Sequence, residues 1–339
     1  MKVLQIQTYV LVLIFCLAAL VTMSLSGIHR QAGQAAIACP EPGPAFGTSA
    51  AAASTDSYSD KQWAILKIMA PQAWQVTSGD ASVVIAVLDT GIDRGHEDLA
   101  GKVIAEVNFA NSPVASDIYG HGTHVAGIIA AKANNGFGIA GLAYNCCLMN
   151  VKVADEAGRC TASSVAKGIV WAVENGAKVI NMSLFITEPS SVLEDAIDYA
   201  WSNGAVVVCA AGNHTGTRPV YPAYYTNCLA VAATDTNDCV APWSGYGEWV
   251  DVAAPGVNIY STLPINDYGY KSGTSMAAAY VSGMAGLLFT VVSDANRNGF
   301  VNDEVRAVIE NSCDKLDIRG IGTGRVNAFE AVSQLLAPK

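Results

Sequence analysis

Three short segments of this chain carry residue types that could together cleave an amide. They are VLDTGID (87–93), GHGTHVAG (120–127) and GTSMA (273–277), and they supply Asp89, His121 and Ser275. Amide hydrolysis through a covalent intermediate needs a nucleophile, a base to take its proton and a group to orient the base. A serine hydroxyl, an imidazole and a carboxylate fill those places. Singly, each has a plainer reading. Asp before Thr-Gly is commonly a turn residue, Ser at the start of an apolar helix is an ordinary N-terminal residue, and a lone His there is commonly structural. Their joint occurrence, each inside an extended motif, favours the chemical reading.

The elements around these residues alternate in type. Apolar runs at 82–88, 103–109, 148–153, 178–182, 205–209, 228–233 and 249–252 read as strands. Helix-like stretches cover 121–133, 163–175, 192–203, 275–292, 303–312 and 327–336. This alternation predicts an α/β fold: a doubly wound, mostly parallel central sheet with helices on both faces. The near-continuous apolar character of the strands agrees, because such sheets are buried on both sides. Sites in these folds sit at the carboxyl ends of strands. Asp89 ends the first run and Asn213 follows the fifth, while His121 and Ser275 open helical stretches.

Composition narrows the class. Hydrophobic residues make up 51% of 339, with 31 glycines, which suits one compact domain with tight turns. Charged residues are 14% and the formal net charge is −10, with no Lys/Arg run, so a nucleic-acid partner is not expected. Residues 9–28 are uncharged, with Lys2 before them and His29-Arg30 after. Residues 1–28 therefore read as a signal peptide, with Ser24 and Ser26 as candidate cleavage residues, or as a membrane anchor. Either reading makes the protein exported, secreted or extracytoplasmic and in the second case membrane-anchored. Residues 29–57 form an Ala/Gly/Pro-rich linker, and 58–339 the folded domain, expected to be a monomer. Of nine cysteines, Cys16 lies in the export segment. The other eight permit disulfides without specifying pairs, and Cys209 sits in an apolar strand as a small hydrophobe. No CxxC occurs, so a zinc or dithiol site has no support.

The motifs together resemble those of the subtilase (subtilisin, S8) family of serine proteases, in its thermitase-like branch. The resemblance spans residues 56–336 and includes KIMAPQAW (67–74), VVVCAAGN (206–213), YPAYY (221–225) and DVAAPG (251–256) beside the three segments above. The chain order Asp, His, Ser is the subtilisin order, distinct from those of chymotrypsin-type enzymes and α/β-hydrolases. The resemblance implies an endopeptidase acting on polypeptides, with Ser275 as nucleophile, His121 as base, Asp89 as orienter and Asn213 as an oxyanion-hole side chain beside the Ser275 N–H. His124 would be structural. An extended peptide would lie between two backbone edges, 155–160, with Gly158 and Cys160, and 183–185, with Ser183, Leu184 and Phe185. Ala210, Ala211 and Gly212 would floor a P1 pocket roomy enough for a large apolar side chain.

The chain departs from the family pattern in places. Phe185 stands where a glycine is usual, Cys160 where a small residue is usual, and Ala278-Ala279-Tyr280 follow Met276-Ala277 in place of the usual Thr/Ala-Pro-His. Phe185 beside the groove implies restricted specificity. The linker is also far too short to be the family's usual pro-domain.

The resemblance further implies a structural Ca²⁺ site. Its side-chain ligands would be Asp56, Asp98 and Asn135, with carbonyls of Ala133, Phe137 and Ile139, a hard oxygen set suited to the ion. Asp251 would support a weaker cation site with carbonyls near Ala223 and Tyr225. The segment 294–299 resembles half of an EF-hand loop, but position 12 is Val305 and Glu304 falls one residue short, so a polar turn capping the next helix competes with metal binding. The alternative to a protease is a catalytically silent subtilase fold that serves as a binding or inhibitory module. Retention of Asp89, His121, Asn213 and Ser275 argues against it, and the absence of G-x-S-x-G around Ser275 argues against an esterase.

Overall fold

The structure is a computed structural model that describes residues 54–334. The export segment and all but the last residues of the linker lie outside the described residues. Among those described, no helix is long and apolar enough to cross a membrane.

Seven strands form one parallel sheet in the order β2-β3-β1-β4-β5-β6-β7. They are β1 (Val84–Asp89), β2 (Val103–Asn108), β3 (Cys147–Lys152), β4 (Val179–Met182), β5 (Val206–Ala210), β6 (Cys228–Thr234) and β7 (Val252–Pro255). Along β1, Ile85 and Val87 join one apolar cluster while Val84, Ala86 and Leu88 join another. Burial on both faces explains the absence of polar alternation in these strands. Fully burying one such side chain contributes roughly 1.5–3 kcal/mol.

The helices are α1 (Trp63–Lys67), α2 (Ala70–Ala73), α3 (Gly122–Ala130), α4 (Ala162–Glu174), α5 (Ser191–Ser202), α6 (Thr274–Leu288), α7 (Asn302–Asn311) and α8 (Ala328–Ser333). Helices α3 and α6 pack in the first cluster, α4 and α5 in the second, so both faces of the sheet are covered. Every residue of α6 is buried, which is why its sequence shows no polar face. Helix α4 starts at Thr161, whose hydroxyl caps the Ser164 N–H while Ser164 Oγ accepts from Thr161 N.

From β1 the chain first builds outward through β2 and β3, then in the other direction through β4 to β7. The carboxyl end of β1, where Asp89 stands, lies at this reversal, the usual place for a site in such a sheet.

Two elements differ from the sequence reading. The last strand of the sheet begins three residues later than expected, at Val252: Asp251 N still donates to Ala230 O (3.0 Å), but the Ala230 N–H goes to the Asp251 carboxylate (2.7 Å) instead of to backbone. An antiparallel hairpin, β8 (Ile259–Leu263) with β9 (Asp267–Lys271), was not expected. Its turn holds Ile265 and Asn266 at positive φ (67° and 55°) without the usual Gly, braced by Asp93 Oδ2 on Ile265 N and by Asn266 Oδ1 on Glu97 N.

Candidate active site

Strand β1 delivers Asp89 buried at the carboxyl edge of the sheet. Its Oδ1 accepts the Thr90 N–H at 2.7 Å and lies 2.7 Å from His121 Nδ1. That acceptor fixes the imidazole proton on Nδ1 and leaves Nε2 as the basic nitrogen. His121 is the residue before α3. Gly122 lets the helix come this close, since a Cβ there would lie 2.1 Å from Gly91 O. Burial disfavours a charged His121, but the charge and hydrogen bond of Asp89 outweigh it and raise the imidazole pKa above its ordinary value.

The turn before α3 is organised by Asp117, whose role sequence reasoning missed. Its buried carboxylate accepts from Thr90 Oγ1 (2.9 Å), Gly120 N (2.8 Å), Thr123 N (2.9 Å) and Thr123 Oγ1 (2.8 Å). Thr90 Oγ1 in turn accepts from Gly122 N at 3.0 Å. The residues on both sides of His121 are thus tied to the residue that follows Asp89. The only signal available was an acid in the short turn before the helix, outside the capping position, which is His121 itself.

Ser275 is the second residue of α6, where a helical N–H has no acceptor one turn back. Its Oγ donates to Ser183 O at 3.1 Å, and Ser183 Oγ donates to Ser275 O at 2.8 Å. Ser183 Oγ also accepts from Asn181 Nδ2 (3.0 Å), and Asn181 Oδ1 accepts from Ser282 Oγ (2.9 Å). This chain of polar contacts locks the end of β4 to α6. Asn213 follows β5, and its Oδ1 accepts from Thr274 N (2.9 Å) and Thr274 Oγ1 (3.0 Å). With the carbonyl oxygen so occupied, the Asn213 Nδ2–H group is the free donor beside the start of α6.

These side chains line one cleft of about 280 Å³. Asp89, His121, Gly158, Cys160, Ser183, Leu184, Phe185, Ala210, Asn213 and Ser275 all border it, together with Tyr119, which the sequence reading passed over. Tyr119 packs against Gly158, the position of a left-handed turn (φ 74°) on the loop between β3 and α4. Ala211 and Gly212 do not border the cleft. Ala211 is fully buried in a separate cluster with Ala232, Val250 and Ala253. His124 accepts no catalytic part: its Nε2 contacts the carbonyls of Ile259 and Gly269 at 3.1 Å, and burial lowers its pKa to about 3.

Away from the cleft, the side chains of Asp56, Asp98 and Asn135, expected as calcium ligands, meet the loop 134–139. Asp56 Oδ1 accepts from Asn135 N (3.0 Å) and Oδ2 from Asn134 N (2.9 Å). Asp98 is fully buried; its Oδ1 accepts from Asn135 Nδ2 (2.8 Å) and its Oδ2 from Ile139 N (2.9 Å) and Tyr268 OH (3.0 Å). Asn135 Oδ1 accepts from Phe137 N (2.9 Å). Ala133, just before that loop, is buried. Among the described residues neither Asp56 nor Asp98 has an ion-pair partner, and burial raises the Asp98 pKa.

The other two cation readings meet different arrangements. Asp251 Oδ1 pairs with Arg306 Nη2 (3.0 Å) and its Oδ2 accepts from Ala230 N, so a guanidinium already stands at that carboxylate. In the 294–299 loop, Asp294 accepts from Asn298 N and Gly299 N, Glu304 Oε1 accepts from Ala295 N and Asn296 N, and Val305 is buried in the core. The loop is closed by its own N–H groups as a polar turn ahead of α7. Six of the cysteines, Cys146, Cys160, Cys209, Cys228, Cys239 and Cys313, are free thiols.

Comparison with known proteins bears on this geometry. Residues 80–328 match the model of the subtilase family. The chain is 48% identical over 280 residues to thermitase from Thermoactinomyces vulgaris, covering 81% of this chain and 97% of that protein. It is 41% identical over 271 residues to subtilisin BL from Lederbergia lenta, covering 79% and 97%. Among solved structures, a protease from Pseudoalteromonas arctica PAMC 21717 superposes with a TM-score of 0.76 at 32% identity, covering 84% of this chain and all of that one.

Proposed function

The chain belongs to the subtilase family of serine endopeptidases, and on that premise we propose that Ser275 is its nucleophile, His121 its general base, Asp89 the group that orients the base and Asn213 an oxyanion donor. The observation that carries this reading is the 2.7 Å contact of His121 Nδ1 with Asp89 in the cleft that Ser275 and Asn213 share.

Ser275 Oγ attacks the carbonyl carbon of the substrate peptide, and its proton passes to His121 Nε2. Asp89 holds the Nδ1–H and offsets the charge of the imidazolium. The developing oxyanion accepts from Asn213 Nδ2 and Ser275 N, with the N-terminal end of α6 beneath it. His121 then returns its proton to the departing amine, and water releases the acyl group by the reverse sequence. In the free protein the Ser275 hydroxyl points to Ser183 O. A peptide docked along 183–185 competes for that carbonyl with its own N–H and frees the hydroxyl toward His121.

Incubation with an unfolded polypeptide such as reduced casein tests the assignment. Wild type digests it, and Ser275→Ala lowers the rate by at least about 10⁴-fold. Equal digestion by both would refute the assignment.

We further infer a structural calcium ion at Asp56, Asp98 and Asn135, with the carbonyls of Ala133, Phe137 and Ile139. Two buried carboxylates, without a cationic partner among the described residues, support this reading; their oxygens accept N–H and O–H groups, chiefly of the same loop. The ion supplies positive charge to the loop and takes no part in hydrolysis. We infer from the apolar segment 9–28 that the enzyme is exported and acts on polypeptides outside the cytoplasm.

A further inference from the structure

We propose that His214, Val220 and Phe185 close the side-chain pocket next to the scissile bond, so that the enzyme cleaves after small residues such as glycine, alanine or serine. The proposal rests on the function given above. A peptide attacked by Ser275 presents its carbonyl oxygen to Asn213 Nδ2 and Ser275 N and lies along 183–185. The side chain of the residue before the scissile bond then enters between that wall and the segment 210–213 after β5.

Ala210 and Gly212 alone would leave room there for a ring. Other side chains occupy the space. A Cβ on Gly212 would stand 2.8 Å from His214 Nδ1 and 3.3 Å from Val220 Cγ2, so both groups lie directly over that glycine. Gly212 cannot retreat, because its N–H donates to Thr274 Oγ1 (3.0 Å) and its carbonyl accepts from Gly245 N (2.7 Å). His214 is held in turn: its Nε2 bonds the Arg218 carbonyl at 2.9 Å. Val220 is 3% exposed and precedes Tyr221, whose N and O pair with Ile186 at 2.9 and 2.7 Å. That pairing joins the two walls just beyond Phe185 and shuts the slot between them. Phe185, 40% exposed, places its ring 6.4 Å from the His214 ring at 45°, across the opening. The cleft accordingly borders Phe185, Ala210 and Asn213 but not Gly212, His214 or Val220. A methyl or hydroxymethyl group fits without displacing these side chains, whereas a benzyl or isobutyl group must move a hydrogen-bonded imidazole and a packed methyl.

The test uses internally quenched peptides identical except for Gly, Ala, Leu or Phe before the scissile bond, on enzyme whose Ser275 is first labelled with a fluorophosphonate in a parallel sample. The proposal expects kcat/KM for Ala to exceed that for Phe by roughly 10- to 200-fold. His214→Ala and Val220→Ala should each raise the Phe/Ala ratio by about tenfold or more. The surface-held His214 keeps the test decisive if Val220→Ala folds poorly. Wild-type cleavage after Phe or Leu as fast as after Ala, or an unchanged ratio in His214→Ala, overturns the inference while leaving Ser275 labelled. Failure of Ser275 to label removes the functional reading and this inference together.

Discussion

Ser183 and Ser275 hold each other reciprocally: Ser275 Oγ donates to Ser183 O at 3.1 Å, and Ser183 Oγ donates to Ser275 O at 2.8 Å. The first bond parks the nucleophile on the acceptor that a substrate needs. The second fixes the backbone of the nucleophile to the wall along which the substrate lies.

Removing the second bond separates the two roles. Ser183→Ala leaves the Ser183 carbonyl in place but frees Ser275 O and deprives Asn181 Nδ2 of its acceptor. One such bond contributes about 1 kcal/mol, and an unmet buried donor costs about 1–3 kcal/mol. We expect kcat/KM to fall roughly 5- to 10-fold, mostly in kcat, and stability to fall by about 1–2 kcal/mol in urea unfolding. Unchanged kinetics would show that the tie does not position the nucleophile.

The Asp89–His121 contact fixes the acid side of the pH profile. His121 works only when neutral, and its pKa is raised in the folded protein. Activity should therefore fall with acidification at a midpoint above the ordinary imidazole value of 6.5. In Asp89→Asn the attraction is lost while burial remains, so the midpoint should move down, with kcat lower by about 10⁴-fold. The pair also contributes stability that is complete below the unfolded imidazole pKa and is lost as pH rises through the folded one. A profile of kcat/KM against pH for both proteins checks the shift, and a midpoint that stays put contradicts it.

Asp117 holds the loop that carries His121. Asp117→Ala leaves four donors unmet, two of them backbone N–H groups beside His121. The expected loss is about 3 kcal/mol or more in stability. Activity should fall even at temperatures where the variant is fully folded, and Asp117→Asn should recover part of both. Full activity in folded Asp117→Ala would make the residue purely structural.

Calcium should stabilise the fold without touching the chemistry. Ion at about 100 times its dissociation constant adds about 2.7 kcal/mol. Chelation should lower Tm by several degrees, and Asp98→Asn should abolish the difference between chelated and calcium-loaded protein. Differential scanning calorimetry at both conditions decides it; an equal calcium increment in Asp98→Asn would place the ion elsewhere.

Much of this architecture could be read from the residues, for a physical reason. Buried parallel strands must be apolar throughout, so β1 to β6 stand out, and the acid, imidazole, serine and amide fall at their carboxyl ends or at helix starts. The hairpin β8–β9 was hidden because its strands are short and its turn uses Ile265 and Asn266 in place of Gly. Asp117 was hidden because it looks like any loop acid until its four donors are seen. The size of the pocket was not legible for a different reason. Ala210 and Gly212 are small, but His214 and Val220, further along the same loop, pack over Gly212, and small residues say nothing about what packs onto them.

The central claim is that Ser275 is a nucleophile activated by His121 in a working oxyanion site. Its most direct test is fluorophosphonate labelling of folded, calcium-loaded protein, with the modified residue located by mass spectrometry. The account predicts one equivalent on Ser275 in wild type, none in Ser275→Ala, and labelling slowed by orders of magnitude in His121→Ala. Folded wild type that stays unlabelled, or a label on another residue, would contradict it.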